Sequence, residues 1–171
     1  MSKISLAEAV KLKSILAKRI HELEEEMYRV AFAEIEKGGK IPKQVRSLSV
    51  VEYDLEIVRK DFRLLDKLMY EANISNVVEF NGDALTIVEA IEYATQLRAK
   101  ARLYKLFGAS KKEEYPYNFG EAAALIKVAL FDPEEYRLKA LENERQANRL
   151  SNAINAKNYS IELDFNSANY F

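Results

Sequence analysis

Apolar residues near the start of the chain recur in steps of three and four, most clearly at Ile20, Leu23, Met27 and Val30. That spacing gathers them on one side of an α-helix. Ser5-Leu6-Ala7-Glu8 opens the run as a capping box, in which Ser5 accepts from the Glu8 amide and Glu8 reaches back to the Ser5 amide. The pattern predicts a first helix from Ser5 to Lys37, stopped by Gly38-Gly39. Such a helix would be ~45–50 Å long, which points to a coiled-coil hairpin or bundle. A second helix is predicted from the capping box Ser49-Val50-Val51-Glu52. Its seam of Val51, Leu55, Val58, Phe62, Leu65, Met69 and Ala72 alternates steps of four and three throughout. Such a seam packs against a partner stripe, in the same chain or in another copy.

Thr86-Ile87-Val88-Glu89 predicts a third capped helix, with Ala90, Ala94, Leu97, Ala101 and Tyr104 on one stripe and Gly108 as its stop. The small residues allow close approach of a neighbour. Asp132-Pro133-Glu134-Glu135 predicts a fourth: Asp caps, Pro takes the first helical position, and two acids face the positive end of the dipole. Its stripe of Ala140, Ala147, Leu150 and Ile154 includes Asn143, which either fixes register inside the seam or is simply exposed. Short strands are expected at Val77–Phe80, ended by the turn dipeptide Asn81-Gly82, and at Tyr159–Phe165, where period-two alternation puts Tyr159, Ile161, Leu163 and Phe165 on one face. Leu125–Phe131 is a weaker strand candidate, because Glu121–Ala124 before it favours helix. The loop from Gly38 to Ser47 carries Lys40, Lys43 and Arg46.

Ser5–Val10 matches Thr86–Ile91 in residue type. Asn73-Ile74-Ser75-Asn76 before Val77 likewise matches Asn155-Ala156-Lys157-Asn158 before Tyr159. Both matches need nearly the same shift along the chain, so the pattern reads as an internal duplication. The expected fold is mainly α (α+β): two repeated long helical hairpins forming a four-helix bundle or coiled coil, with short strands making a small sheet at one end. Residues 1–165 would form a single domain of two repeats, about 1–82 and 83–165, and residues 166–171 a frayed tail.

Composition narrows the chemistry. The 171 residues are 49% hydrophobic and 31% charged, too apolar for disorder and too charged for a membrane protein. With 26 Lys plus Arg against 27 Asp plus Glu there is no bulk electrostatic footprint for nucleic acid. No Cys and a single His exclude a thiol nucleophile, a disulfide framework and the usual Cys/His zinc sites. No apolar run approaches the ~18 residues of a transmembrane helix, and charges from Glu8 to Arg19 interrupt any secretory signal, so the expected location is the cytoplasm.

The opening Leu6-Ala7-Glu8-Ala9, the Asn73 and Asn76 pair, the restart from Gly82 to Ala90 and the closing Asn158-Tyr159-Ser160-Ile161-Glu162-Leu163 together resemble a little-characterised bacterial helical family that carries the name septicolysin. The resemblance covers the chain to about Phe165. Members often carry Arg and Asp soon after the restart, where this chain reads Glu92-Tyr93-Ala94-Thr95. The name implies a cytolysin, and the resemblance brings no catalytic residue with it. Nothing in the sequence has the long apolar hairpin or strongly basic amphipathic face of a membrane-inserting segment.

Candidate chemistry is sparse. His21 and Glu25 share a helical face, but a di-iron bundle needs two Glu-x-x-His motifs and one His cannot supply them, so a solvated acidic run is the better reading. Glu8 and Glu89 hold equivalent positions and a cation between them is conceivable, yet capping explains both. No phosphate-cradling Gly-rich loop or nucleophile elbow occurs. A basic cluster of Arg98, Lys100, Arg102, Lys105, Lys111 and Lys112, beside Tyr104 and Tyr115, is the one candidate anion or nucleic-acid patch; Glu113 and Glu114 offset it, and cations are favoured at a helix C-terminus anyway. The reading favours a non-enzymatic oligomeric structural or interaction protein with no cofactor and no metal, its partner a second copy in a dimer or an assembly of dimers. The alternative is a ligand- or nucleic-acid-binding module using the patch after Arg98. The seam Val51, Leu55, Val58, Phe62, Leu65 and Met69 is the expected packing or oligomer surface.

Overall fold

The computed structural model describes residues 3–115 and 125–171. In chain order the elements are β1 (Lys3–Ser5), α1 (Leu6–Ala31), α2 (Leu48–Ser75), β2 (Val77–Phe80), β3 (Asp83–Thr86), α3 (Ile87–Gly108), β4 (Glu113–Glu114), β5 (Lys127–Val128), α4 (Pro133–Ser160) and β6 (Glu162–Asp164). The fold is mainly helical. The strands pair as separate two-stranded antiparallel ladders, β1 with β6, β2 with β3 and β4 with β5, rather than as one small sheet. The chain divides into two compact units, Met1–Asn76 with Ala156–Phe171, and Val77–Asn155. Pairing of β6 with β1 draws the C-terminal residues into the unit that holds the N-terminus.

In the first unit, α1 begins with the capping box: the Glu8 amide donates to Ser5 Oγ at 3.1 Å and the Ser5 amide to Glu8 Oε2 at 2.7 Å. The helix ends at Ala31, not Lys37, with Phe32 extended at φ −131°. Continuing the stripe past Val30 would place Glu34 and Lys37 on the buried side. Without further burial, propensity alone does not sustain the helix. Its length is therefore ~39 Å. The α2 cap is Ser47, whose hydroxyl accepts from Val50, so the expected box at Ser49 and Glu52 lies inside the helix.

The α2 seam is filled within the chain. Val51, Leu55, Val58 and Leu65 are buried, and Phe62 and Met69 are half-buried at its margin. Leu12, Leu16 and Leu23 of α1 are buried against it. Burial of each such side chain is worth ~1.5–3 kcal/mol relative to exposure. Ile4 of β1 pairs with Leu163 of β6, both buried. The expected strand at Tyr159–Phe165 is shorter than its pattern. Ile161, Leu163 and Phe165 do share a buried side, but α4 runs through Tyr159, which is exposed, to Ser160. The tail is not frayed. Ser167 is buried, its carbonyl accepts from the Tyr170 and Phe171 amides, and the Tyr170 hydroxyl donates to Asp61 of α2.

In the second unit, Asn81 and Gly82 both take positive φ, 51° and 86°, as a tight hairpin between β2 and β3 requires. The chain passes directly into α3, capped by Thr86, which accepts from the Glu89 amide; the Glu89 carboxylate accepts from the Thr86 hydroxyl instead of reaching back to a backbone amide. The buried stripes of α3 and α4 are rich in alanine: Ala90, Ala94 and Ala101 on one, Ala140 and Ala147 on the other. Gly108 is the last residue of α3 rather than the stop beyond it. Its lack of a side chain serves a close approach to Arg137 of α4. Tyr104, Phe107, Phe131 and Tyr136 cluster there, with Phe131 and Tyr136 rings 5.1 Å apart. Asp132 caps α4 by accepting from the Glu134 amide at 3.0 Å. Asn143 is half-buried and donates to the Lys139 carbonyl of its own helix. Within Leu125–Phe131 only Lys127–Val128 is strand; Glu121–Ala124 lies outside the described residues.

Candidate functional site

The basic residues after Arg98 do not converge on one point. Arg98 donates to the Ser151 hydroxyl of α4. Arg98 and Arg102, one turn apart on α3, line a cavity of about 370 Å³ with Glu144 and Asn148. Neither guanidinium has a carboxylate partner within ion-pair distance among the described residues. Lys100 points elsewhere and lies 6.0 Å from the Tyr104 ring. Lys105 is exposed in the last turn of α3, where its charge suits the helix dipole. Lys112 is spent on structure: its ammonium donates to the Ala129 carbonyl at 2.8 Å and the Phe131 carbonyl at 3.0 Å, closing the segment that carries β4 and β5. Lys111 lines a separate hollow beside β5. The six residues thus split into an arginine pair and four individually placed lysines.

His21 is exposed on α1 and lies 3.2 Å from Glu25. No group of three or more His, Cys, Asp or Glu among the described residues is arranged to hold a metal ion. Glu8 and Glu89 are both engaged at their helix caps, and hydrogen bonds from the Ser5 amide and hydroxyl hold the Glu8 carboxyl below its ordinary range.

A cavity of about 500 Å³ lies at the end of the α1–α2 hairpin where the connection joins the two helices. Its size is that of a small-ligand or side-chain pocket. Apolar groups form its body: Met27, Tyr28 and Phe32 from the end of α1, Leu48 and Leu55 from the start of α2. Tyr28 and Phe32 are each 78% exposed. The rim is acidic. Glu24 and Glu56 both accept from Arg59, at 3.0 and 2.7 Å. Glu52 has no ion-pair partner among the described residues. Arg46 pins the nearby loop, its guanidinium 3.1 Å from Glu26 of α1 and 2.5 Å from Asp54 of α2. Sequence reasoning overlooked this place. The available signal was Phe32, Ile35, Ile41 and Val45, apolar residues crowded into a connection punctuated by Gly38, Gly39 and Pro42.

A second apolar surface lies on α2. Val50, Tyr53, Ile57 and Leu64 are exposed and recur at helical spacing on a different face from the buried seam.

No family model matches the chain, and no curated protein matches it. Among solved structures it is similar to a functionally unknown conserved protein from Corynebacterium diphtheriae, with a TM-score of 0.65 and 20% identity over 95% of this chain and 100% of that one. That likeness concerns the fold. No helix among the described residues is long and apolar enough to cross a membrane.

Proposed function

We propose that the chain is a non-enzymatic, self-associating helical interaction protein, built from two copies of a strand–helix–helix–strand repeat. The observation that carries the reading is the uncovered apolar stripe on α2. Val50, Tyr53, Ile57 and Leu64 stay exposed although α1 already fills the seam beside them. Exposed apolar residues gathered on one helix face suit an interaction site, and closed symmetry built on a dimer is the usual outcome for one chain type. Light scattering coupled to size exclusion tests it. A dimer or larger assembly at micromolar concentration is expected, and a stable single-chain species would overturn the reading.

The duplication is supported by matching buried positions: Leu6 with Ile87, Ala9 with Ala90 and Leu16 with Leu97 in the first helices, Leu65 with Ala147 and Ala72 with Ile154 in the second. The strands follow the same scheme, Val78 and Phe80 corresponding to Leu163 and Phe165, but α4 continues about one turn further than α2 before its strand begins. Asn76 caps α2, while its counterpart Asn158 lies inside α4. Kinship with the septicolysin family rests on short sequence motifs and adds no activity to this reading.

The arginine pair supports a second reading, an anion-binding module. Arg98 and Arg102 line one cavity without an ion-paired carboxylate among the described residues. Calorimetric titration with inorganic phosphate and with a short single-stranded oligonucleotide separates the two: salt-sensitive binding lost in Arg98→Ala/Arg102→Ala supports the module, and no heat from either ligand removes it.

A further inference from the structure

The connection from Phe32 to Ser47 is much longer than the ~2–8 residues that usually join packed helices, and connections of this length are usually either functional segments or plain linkers. It is also unusually apolar for an exposed loop: Ile41 is 81% exposed and Val45 fully so. Lys37, Lys40 and Lys43 flank Ile41 with no acid among them, and all three are exposed. At the same end of the hairpin lies the cavity with an apolar body and the acidic rim of Glu24, Glu52 and Glu56. Arg59 is already shared by two of those acids, so Glu52 remains available among the described residues. The loop of the same chain does not occupy the cavity, for Ile41 is left in solvent while Arg46 fastens the end of the loop to Glu26 and Asp54.

We propose that this cavity receives the Lys40-Ile41-Pro42-Lys43 segment of a second copy of the chain, Ile41 entering among Tyr28, Phe32 and Leu48 while the two lysines face the acidic rim and one of them pairs with Glu52. The proposal rests on the self-association reading and adds a second contact to the one on the α2 stripe. Pro42 biases Ile41 toward extended backbone and fixes its own φ, so the segment arrives with less conformational freedom to lose. Loop and cavity lie at one end of one hairpin, so a twofold axis lets each copy donate a loop and accept one. That contact is isologous and closes at the dimer. The opposed charges set register and exclude the like-charged alignment of loop on loop.

The test uses the full chain in three forms: wild type, Lys40→Glu/Lys43→Glu, and Glu52→Lys. The altered side chains are exposed, so the thermal melts should stay close to wild type and serve as the folding control. Each variant alone should self-associate about tenfold or more weakly, and an equimolar mixture of the two should recover dimers. A further pair uses the absence of native cysteine: Ile41→Cys mixed with Tyr28→Cys should give a disulfide-linked dimer under mild oxidation. A wild-type monomer overturns this proposal together with the self-association reading. Wild-type assembly in both charge variants overturns only the loop–cavity contact. That contact is likewise overturned if the mixture stays dissociated and the cysteine pair does not cross-link.

Discussion

Gly108 lies so close to Arg137 that a methyl group on it would sit 2.6 Å from the Arg137 Cα and 2.7 Å from its backbone nitrogen. Both neighbours are backbone, so no side chain can rotate away. Two effects compete in Gly108→Ala. Alanine favours the helical conformation by ~0.8–1.0 kcal/mol over glycine. Forcing α3 from α4 typically costs ~1–3 kcal/mol. The steric term prevails, and the substitution should destabilise the protein in urea denaturation. A more stable Gly108→Ala variant would mean that the two helices part freely at this point.

The Tyr170 hydroxyl donates a 2.5 Å hydrogen bond to Asp61 on α2, a contact that ties the C-terminal turn to the first unit. Burial first, and then the hydrogen bond to Asp61, push the phenol above its ordinary range. Its neutral form is favoured in the folded state. The stability linked to it is complete below the ordinary phenol value of ~10 and declines as pH rises past that point, because the unfolded phenol ionises first. Absorbance titration should show one late-ionising tyrosine of the ten, missing in Tyr170→Phe. That variant should lose ~1.5–3 kcal/mol at neutral pH, the range for a hydrogen bond to a charged group. An unchanged titration curve would mean that the tail is loose in solution.

Elements with strong local signals were legible from the sequence: the Ser5 and Asp132 caps, the Asn81-Gly82 turn and the α2 seam each depend on residues within one or two turns. The errors have tertiary causes. Gly108 reads as a helix stop, but its reason lies across the fold in Arg137. Tyr159 alternates correctly with Ile161 and Leu163, yet it belongs to the last turn of α4. The tail is polar, and only its contacts with α2 hold it. The basic cluster illustrates the same limit at a candidate site. Proximity in sequence grouped Arg98 with Lys112, whereas helical geometry and the carbonyls of Ala129 and Phe131 separate their roles. The hairpin cavity escaped because its lining comes from two helices joined by a long loop.

Glu8 is held below the ordinary carboxylate range by hydrogen bonds from the Ser5 amide first and the Ser5 hydroxyl second. A depressed folded value stabilises the protein above the ordinary value of ~4.3, and that contribution disappears as pH falls through the folded value. Carboxyl-detected NMR titration should find Glu8 among the last glutamates to protonate. Ser5→Ala should raise it toward the ordinary range and cost ~0.5–2 kcal/mol through loss of the cap. A Glu8 titration unmoved by Ser5→Ala would sink this account of the cap.

Leu64 and Leu65 are adjacent on α2 but face different surroundings: Leu65 is completely buried in the seam with α1, and Leu64 is 44% exposed on the second stripe. Leu65→Ala removes buried methyl groups and leaves a void, which should cost ~2–5 kcal/mol in chemical denaturation. Leu64→Ala removes no such packing within the chain, and its effect should stay within ~0.5 kcal/mol when measured at a concentration where the protein is a single-chain species. The order should reverse for assembly. Leu64→Asp, together with Ile57→Asp, places charge on the stripe and should shift sedimentation profiles toward the single chain while leaving the helical circular dichroism intact. If these variants sediment as wild type, the second stripe takes no part in self-association, and the uncovered apolar surface of α2 needs another explanation.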